Sequence, residues 1–176
     1  MSAFELMSYY KTALIFMEGS SGDAAFIVKT GKVGIYAGSF DPFTVGHLDI
    51  VNQAKLLFDR IIIARGQNPN KPPHVNSLPE DTLRGMGIDV TIYEGLLPEL
   101  IKRWEKYAGD VTLIRGLRSG YDLNDEQNML AFLREMHPTI KVVYFLCNSK
   151  YQHISSSALR GIRQFSEEKY QNYIVK

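Results

Sequence analysis

Cysteine is almost missing from this sequence. Cys147 is the only one in 176 residues, which excludes an internal disulfide and any cysteine-rich metal site. It ends an apolar, strand-like run, a setting that suits a small buried hydrophobe better than a reactive thiol. Net charge is nearly missing too: 20 Lys and Arg against 19 Asp and Glu leave +1. A chain so balanced has no general grip on nucleic acid and no electrostatic anchor to a membrane, so any anion it binds must be caught locally. No apolar run is long enough to span a bilayer. The N-terminal "TALIFM" has Glu5 and Lys11 before it and Glu18 after it, a poor match to a signal peptide, and a cytoplasmic location is the expectation. Internal repeats and low-complexity tracts are also lacking.

What is present is an ordinary globular composition, 45% hydrophobic and 22% charged, with enough length for one domain and its core. Five short apolar runs rich in β-branched residues stand out: "VGIYA" (33–37), "RIIIA" (60–64), "VTIY" (90–93), "VTLI" (111–114) and "KVVYFLC" (141–147). Runs this short and continuous suit strands buried on both faces of a parallel sheet. Helical spacing separates them. Leu48, Val51, Ala54 and Phe58 recur in "GHLDIVNQAKLLF", and residues 96–108, 122–136 and 155–165 repeat the pattern. The alternation predicts an α/β fold, a doubly wound, Rossmann-like parallel sheet of five strands with helices on both faces. Residues 66–89, with four prolines and three glycines, read as loop with a short helix near Asp81–Met86. The domain is expected over 32–176. Residues 1–31 fall outside this alternation and form an extension of uncertain structure, whose pattern fits a helix over 1–18 and an extra strand, "AAFIVKT", separated by "GSSGD".

In an open parallel sheet, ligands sit beyond the carboxyl ends of the strands. The stretch "GSFDPFTVGHLDI" leaves the first strand at that end. Gly38 and Gly46 permit close backbone approach, the following helix aims free N–H groups back at the site, and His47 lies in its first turn. A simple turn capped by Thr44 explains the same residues equally well. "RGLRSGYD" (115–122) follows another strand, and two arginines three residues apart suit forked contacts to phosphate, although solvated arginines are the plainer reading. "ISSSALRGI" (154–162) offers three serines at a helix start, where capping accounts for one. Lys71 in "NPNKPP" is a point charge between prolines, weak evidence by itself. Four such features at one sheet edge favour a nucleotide site with a second phosphorylated ligand.

These motifs resemble the nucleotidyltransferases that share a T/H-x-G-H signature, and within them the bacterial phosphopantetheine adenylyltransferase family. "GSFDPFTVGHLDIV", "NPNKPP", "RGLR" with its acidic follow-on and "QNM", and "YQHISSS" occur in that family's order from about Val33 to Ile162. The resemblance implies AMP transfer from ATP to 4′-phosphopantetheine with Mg²⁺ assisting, His47 stabilising the transition state. It implies ATP contacts from Ser39, Phe40, Gly116, Leu117, Arg118, Glu126, Tyr151, Gln152, His153, Ile154, Ser155, Ser156 and Ser157. Ser39, Lys71, Leu97 and Arg115 would hold the acceptor. No protein metal ligands are implied, and a homo-hexamer is. The sequence departs from the family at Ala37, where proline is usual, and at Asn124 and Asp125, where an acid and a tyrosine are usual. A pyridine mononucleotide acceptor, or a module that binds nucleotide without reacting, are the alternatives.

Overall fold

The computed structural model describes residues 31–67 and 78–176, with the backbone of two dipeptide strands, β1 (Leu14–Ile15) and β2 (Phe26–Ile27), which pair antiparallel. Thus "AAFIVKT" does contribute a short strand, whereas Leu14–Ile15, inside the stretch 1–18 read as a helix, is a strand as well because it pairs with Phe26–Ile27; the rest of that stretch and the segment carrying Lys71 lie outside the described residues. The domain alternates β3 (Lys32–Gly38), α1 (Val45–Ala54), β4 (Arg60–Gln67), α2 (Glu80–Gly85), β5 (Asp89–Glu94), α3 (Leu97–Ala108), β6 (Asp110–Leu117), α4 (Gly120–Met136), β7 (Val142–Leu146), α5 (Ser156–Phe165) and α6 (Glu167–Gln171). Strands β3 to β7 form one parallel sheet in the order β5-β4-β3-β6-β7. The chain winds outward from β3 in one direction, then returns to β6 and winds outward in the other. The switch point therefore falls between β3 and β6, which is where a doubly wound sheet opens a crevice for ligand.

Alternation along each strand supplies the two faces of the core. On β3, Val33, Ile35 and Ala37 join Leu100 and Ile101 of α3 and Leu133 of α4. Tyr36, Ile61, Ile63 and Ile114 face the other way and pack with Ile50, Val51 and Ala54 of α1 and Leu83 of α2. Both faces are covered, so the strands read as near-continuous apolar runs. Three boundaries differ most from the sequence reading. The first helix stops at Ala54, where the Leu57 and Phe58 amides turn back to its carbonyl, 2.9 and 3.0 Å away. Strands β4 and β6 run three residues beyond their apolar cores, because parallel ladders to β5 and β7 pair Arg65 with Ile92 and Arg115 with Tyr144. Arg115, Gly116 and Leu117 are therefore in the sheet rather than after it.

Gly34 marks how closely α1's exit crosses the sheet. A Cβ there would lie 2.5 Å from Ile114 Cδ1 and 2.9 Å from Phe58 Cγ. Replacing Gly34 with alanine overpacks this contact, and urea denaturation should show a loss of about 1–3 kcal/mol.

Candidate active site

Beyond Gly38 the chain must turn sharply into α1, and Phe40 does so in the left-handed region at φ 47°. Its ring folds back over Gly38, where a Cβ would meet it at 3.0 Å. Phe40 and Phe43 are both buried, and with Tyr36 they surround the imidazole of His47. The centroid of Phe40 is 5.1 Å from that of His47 at 90°, and Phe43 and Tyr36 lie at 5.4 and 6.2 Å. The family resemblance implies that Phe40 lies against ligand; the structure makes it one wall of the cleft and of the histidine's cage at once.

Thr44 caps α1 and His47 completes the cap. The Thr44 hydroxyl accepts from the His47 amide at 3.2 Å, and the Thr44 amide donates to His47 Nδ1 at 3.0 Å. This is a reciprocal capping box with histidine at the third helical position. A backbone N–H can only donate, so Nδ1 must be the unprotonated nitrogen and the ring proton sits on Nε2. Desolvation among the aromatic rings, reinforced by the positive charge of Arg118, lowers the His47 pKa to about 4. At neutral pH His47 is an uncharged donor whose Nε2–H has no partner among the described residues.

His47 lines a cleft of about 390 Å³ at the carboxyl ends of β3 and β6. Of the residues expected from sequence, Ser39, Phe40, His47, Arg115, Gly116, Arg118, Glu126, Ile154, Ser155, Ser156 and Ser157 are brought together there. Leu117, Tyr151, Gln152, His153 and Leu97 do not line it. Leu97 packs into the core under α3, Tyr151 packs against buried apolar clusters, and the His153 ring meets Tyr173 at 6.1 Å.

The two arginines of "RGLR" are not bare cations. Arg115 forks onto Glu126, with Nε 2.8 Å from Oε2 and Nη2 on Oε1, and Nη1 donates to the Ala37 carbonyl at 3.1 Å. Burial pulls the Arg115 pKa down, but the bond and charge of Glu126 outweigh it and the net shift is upward. Arg118 forks onto Asp122 at 2.9 and 3.1 Å, and its amide donates to the same carboxylate at 2.7 Å. The Arg118 bond in turn holds Asp122 below the usual carboxylate range. Of the five N–H donors on each guanidinium, Arg115 keeps two for a ligand and Arg118 three. Gly116, between the arginines, sits in a tight place: a Cβ would lie 3.0 Å from both Ile50 Cγ1 and the Tyr36 hydroxyl, so a side chain would have to push one of them aside.

The serine cluster is likewise partnered. Ser155 accepts from the Ala158 amide at 3.1 Å as the cap of α5, Ser156 donates to the Pro42 carbonyl at 3.2 Å, and Ser157 accepts from Arg160 at 3.0 Å. The "excess" serines tie the loop 39–42 to α5 while still facing the cleft. Sequence reasoning missed Tyr36, Asp122 and Arg160. Tyr36 read as core, and Asp122 only gains meaning once the first turn of α4 brings its carboxylate back onto Arg118, which precedes the helix.

Three carboxylates and two guanidiniums line the cleft, and among the described residues Asp125 is the cleft carboxylate held by neither guanidinium. Among the described residues no three acidic, histidine or cysteine side chains form a metal cage. Nor is any described helix long and apolar enough to cross a membrane.

Residues 35–162 match the cytidylyltransferase-like family. The phosphopantetheine adenylyltransferase of Alkaliphilus metalliredigens is 36% identical over 140 residues, 76% of this chain and 87% of that protein. The phosphopantetheine adenylyltransferase of Clostridium perfringens is 34% identical over 151 residues, 82% of this chain and 89% of its own length. Solved structures agree in fold. The nicotinic acid mononucleotide adenylyltransferase of Plasmodium falciparum covers 82% of this chain, and this chain 90% of it, at TM-score 0.52 and 16% identity. A bifunctional NMN adenylyltransferase/ADP ribose pyrophosphatase of Francisella tularensis aligns over 82% of this chain and 44% of its own, at TM-score 0.53 and 18% identity. A parallel sheet with this cleft and this sequence match define a nucleotidyltransferase, an enzyme of the cytidylyltransferase-like class. Within that class the chain belongs to the phosphopantetheine adenylyltransferase family.

The histidine geometry has a measurable consequence. Nitrogen-15 NMR should find His47 neutral, as the Nε2–H tautomer, from pH 8 down to about pH 5. Because its folded pKa lies below the unfolded value, the folded state binds fewer protons between the two. This contribution to stability is complete above pH 6.5 and is lost as pH falls toward about 4. Chemical denaturation at pH 7 and pH 4.5, with a His47→Gln control lacking the titration, checks the sign.

Proposed function

We propose that this chain transfers the adenylyl group of ATP to 4′-phosphopantetheine, giving dephospho-coenzyme A and pyrophosphate. The observation that carries the reading is His47 on the cleft wall with its Nδ1 engaged by the Thr44 amide, which leaves Nε2–H as the donor for a ligand. An oxygen of the acceptor phosphate bonds to the α-phosphorus while the bond from that phosphorus to the β-phosphate oxygen breaks, and the electron pair leaves with pyrophosphate. No protein nucleophile is needed; positioning and charge stabilisation suffice. A pre-aimed neutral donor strengthens its bond as charge builds on the α-phosphate oxygens, without delivering a proton.

Ser39, Gly116, Arg118 and the start of α5 would hold ATP, and Arg115 with Lys71 the acceptor phosphate. The ligand phosphates would share or exchange the arginines with Asp122 and Glu126. Mg²⁺ would enter with the triphosphate as its counter-ion, since the cleft offers it carboxylates but no cage of its own. The reading includes a cytoplasmic enzyme and a homo-oligomer, the latter supported by Tyr121, Met129 and Phe132 standing exposed on α4.

A pyrophosphate-release assay with ATP and a panel of acceptors tests this directly. Turnover with 4′-phosphopantetheine supports it, turnover only with a pyridine mononucleotide transfers the activity to another acceptor, and ATP binding without any turnover marks a binding module. In the active enzyme, His47→Ala should lower kcat about 10²–10³-fold while changing the ATP dissociation constant less than about threefold.

A further inference from the structure

We propose that Arg65 is a positioning residue for adenylyl transfer: its Nε–H holds the Ser39 carbonyl, and through that loop it keeps His47 aimed into the cleft. Arg65 is a charged residue with only 6% of its surface exposed, at the carboxyl end of β4, beside Gly38 in the parallel register. It follows Ile61 and Ile63 on the face that carries Tyr36 and Phe40, so a side chain of core type belongs there by pattern. An arginine in that place is costly unless its donors are used. Its Nε donates to the Ser39 carbonyl at 3.0 Å, and its Nη2 lies 3.9 Å from Asp41 Oδ1.

That carbonyl immediately precedes Phe40, whose left-handed backbone is unfavourable for a side chain of its size. Fixing the Ser39 carbonyl holds the peptide that enters Phe40. The same loop is held from the opposite side, where Arg160 donates to the Asp41 carbonyl at 2.8 Å and Ser156 to the Pro42 carbonyl. With three loop carbonyls bound by side chains, the Phe40 ring stays at right angles to the imidazole and keeps water off it. Arg65 does not line the cleft, so its effect is on orientation rather than on ligand contact.

The inference rests on adenylyl transfer with His47 as donor, and a matched pair of variants tests it. Gln carries an N–H donor at the same number of bonds from Cα as arginine Nε; Met carries a methyl group there. Arg65→Met should lower kcat 10- to 30-fold with the KM for ATP changed less than threefold, and its His47 titration should move from about 4 to above 5. Arg65→Gln should restore both, kcat to within threefold of wild type. Met and Gln variants that behave alike, whether both active or both impaired, overturn the proposal, as does a loss confined to KM. If Arg65→Met does not fold by circular dichroism, Arg65→Gln decides alone: a folded Gln variant with kcat down more than tenfold overturns it. A wild-type protein without turnover would count against the adenylyl-transfer reading, and the His47 titration would then decide the role of Arg65.

Discussion

The bond from the Thr44 amide to His47 Nδ1 is the constraint on which the site depends. One end is a backbone donor with no alternative role, so the other must be a lone pair. That single fact selects the tautomer, turns Nε2–H toward the cleft and makes protonation of Nδ1 incompatible with the cap. The interaction that caps the helix thus also sets the hydrogen-bonding character of the imidazole on the cleft wall. The aromatic rings add what the bond cannot: by excluding water they disfavour the imidazolium and keep the donor neutral. A neutral donor suits a reaction in which the phosphate oxygens gather charge but take no proton.

Around this bond the cleft is assembled by close approach. Gly38 lets the Phe40 ring fold back, and Gly116 lets β6 pass over Tyr36 and Ile50. The arginines on either side of Gly116 are held by carboxylates of α4, so the helix stores the cleft's positive charge in two forked pairs. A forked pair is a template for phosphate, because a carboxylate and a phosphate present similar paired oxygens to a guanidinium. Nucleotide phosphates would find the geometry ready, and the cost of entry would be sharing arginines with Asp122 and Glu126. A nearly neutral protein can bind a polyphosphate in this way without a broad basic surface.

Much of this was legible in the residues. Five β-branched runs separated by helical spacing specify a parallel sheet, and such a sheet puts "GSFDP", "RGLR" and "ISSS" at one edge whatever the details. Strand ends were less legible. Arg65, Arg115 and Gly116 have no apolar pattern of their own and join the sheet because the neighbouring strands supply a ladder for them. Arg65 falls between the strand run ending at Ala64 and the loop read from Gly66, so no pattern pointed to its contact with Ser39. The serine cluster shows the opposite limit: three hydroxyls suggested a phosphate seat, yet Ser156 and Ser157 hold the Pro42 carbonyl and Arg160, partners more than a hundred residues away or one turn along.

The order of the residues was enough to specify the fold, the sheet edge where the cleft opens and the residue types available there, because strand and helix periodicity and glycine placement are local properties. Tertiary structure alone decided how those residues are used. It set which nitrogen of His47 carries the proton, which carboxylate holds which arginine, and which guanidinium grips the loop. Each depends on hydrogen-bond partners and water exclusion contributed by other elements, and no spacing along the chain encodes them.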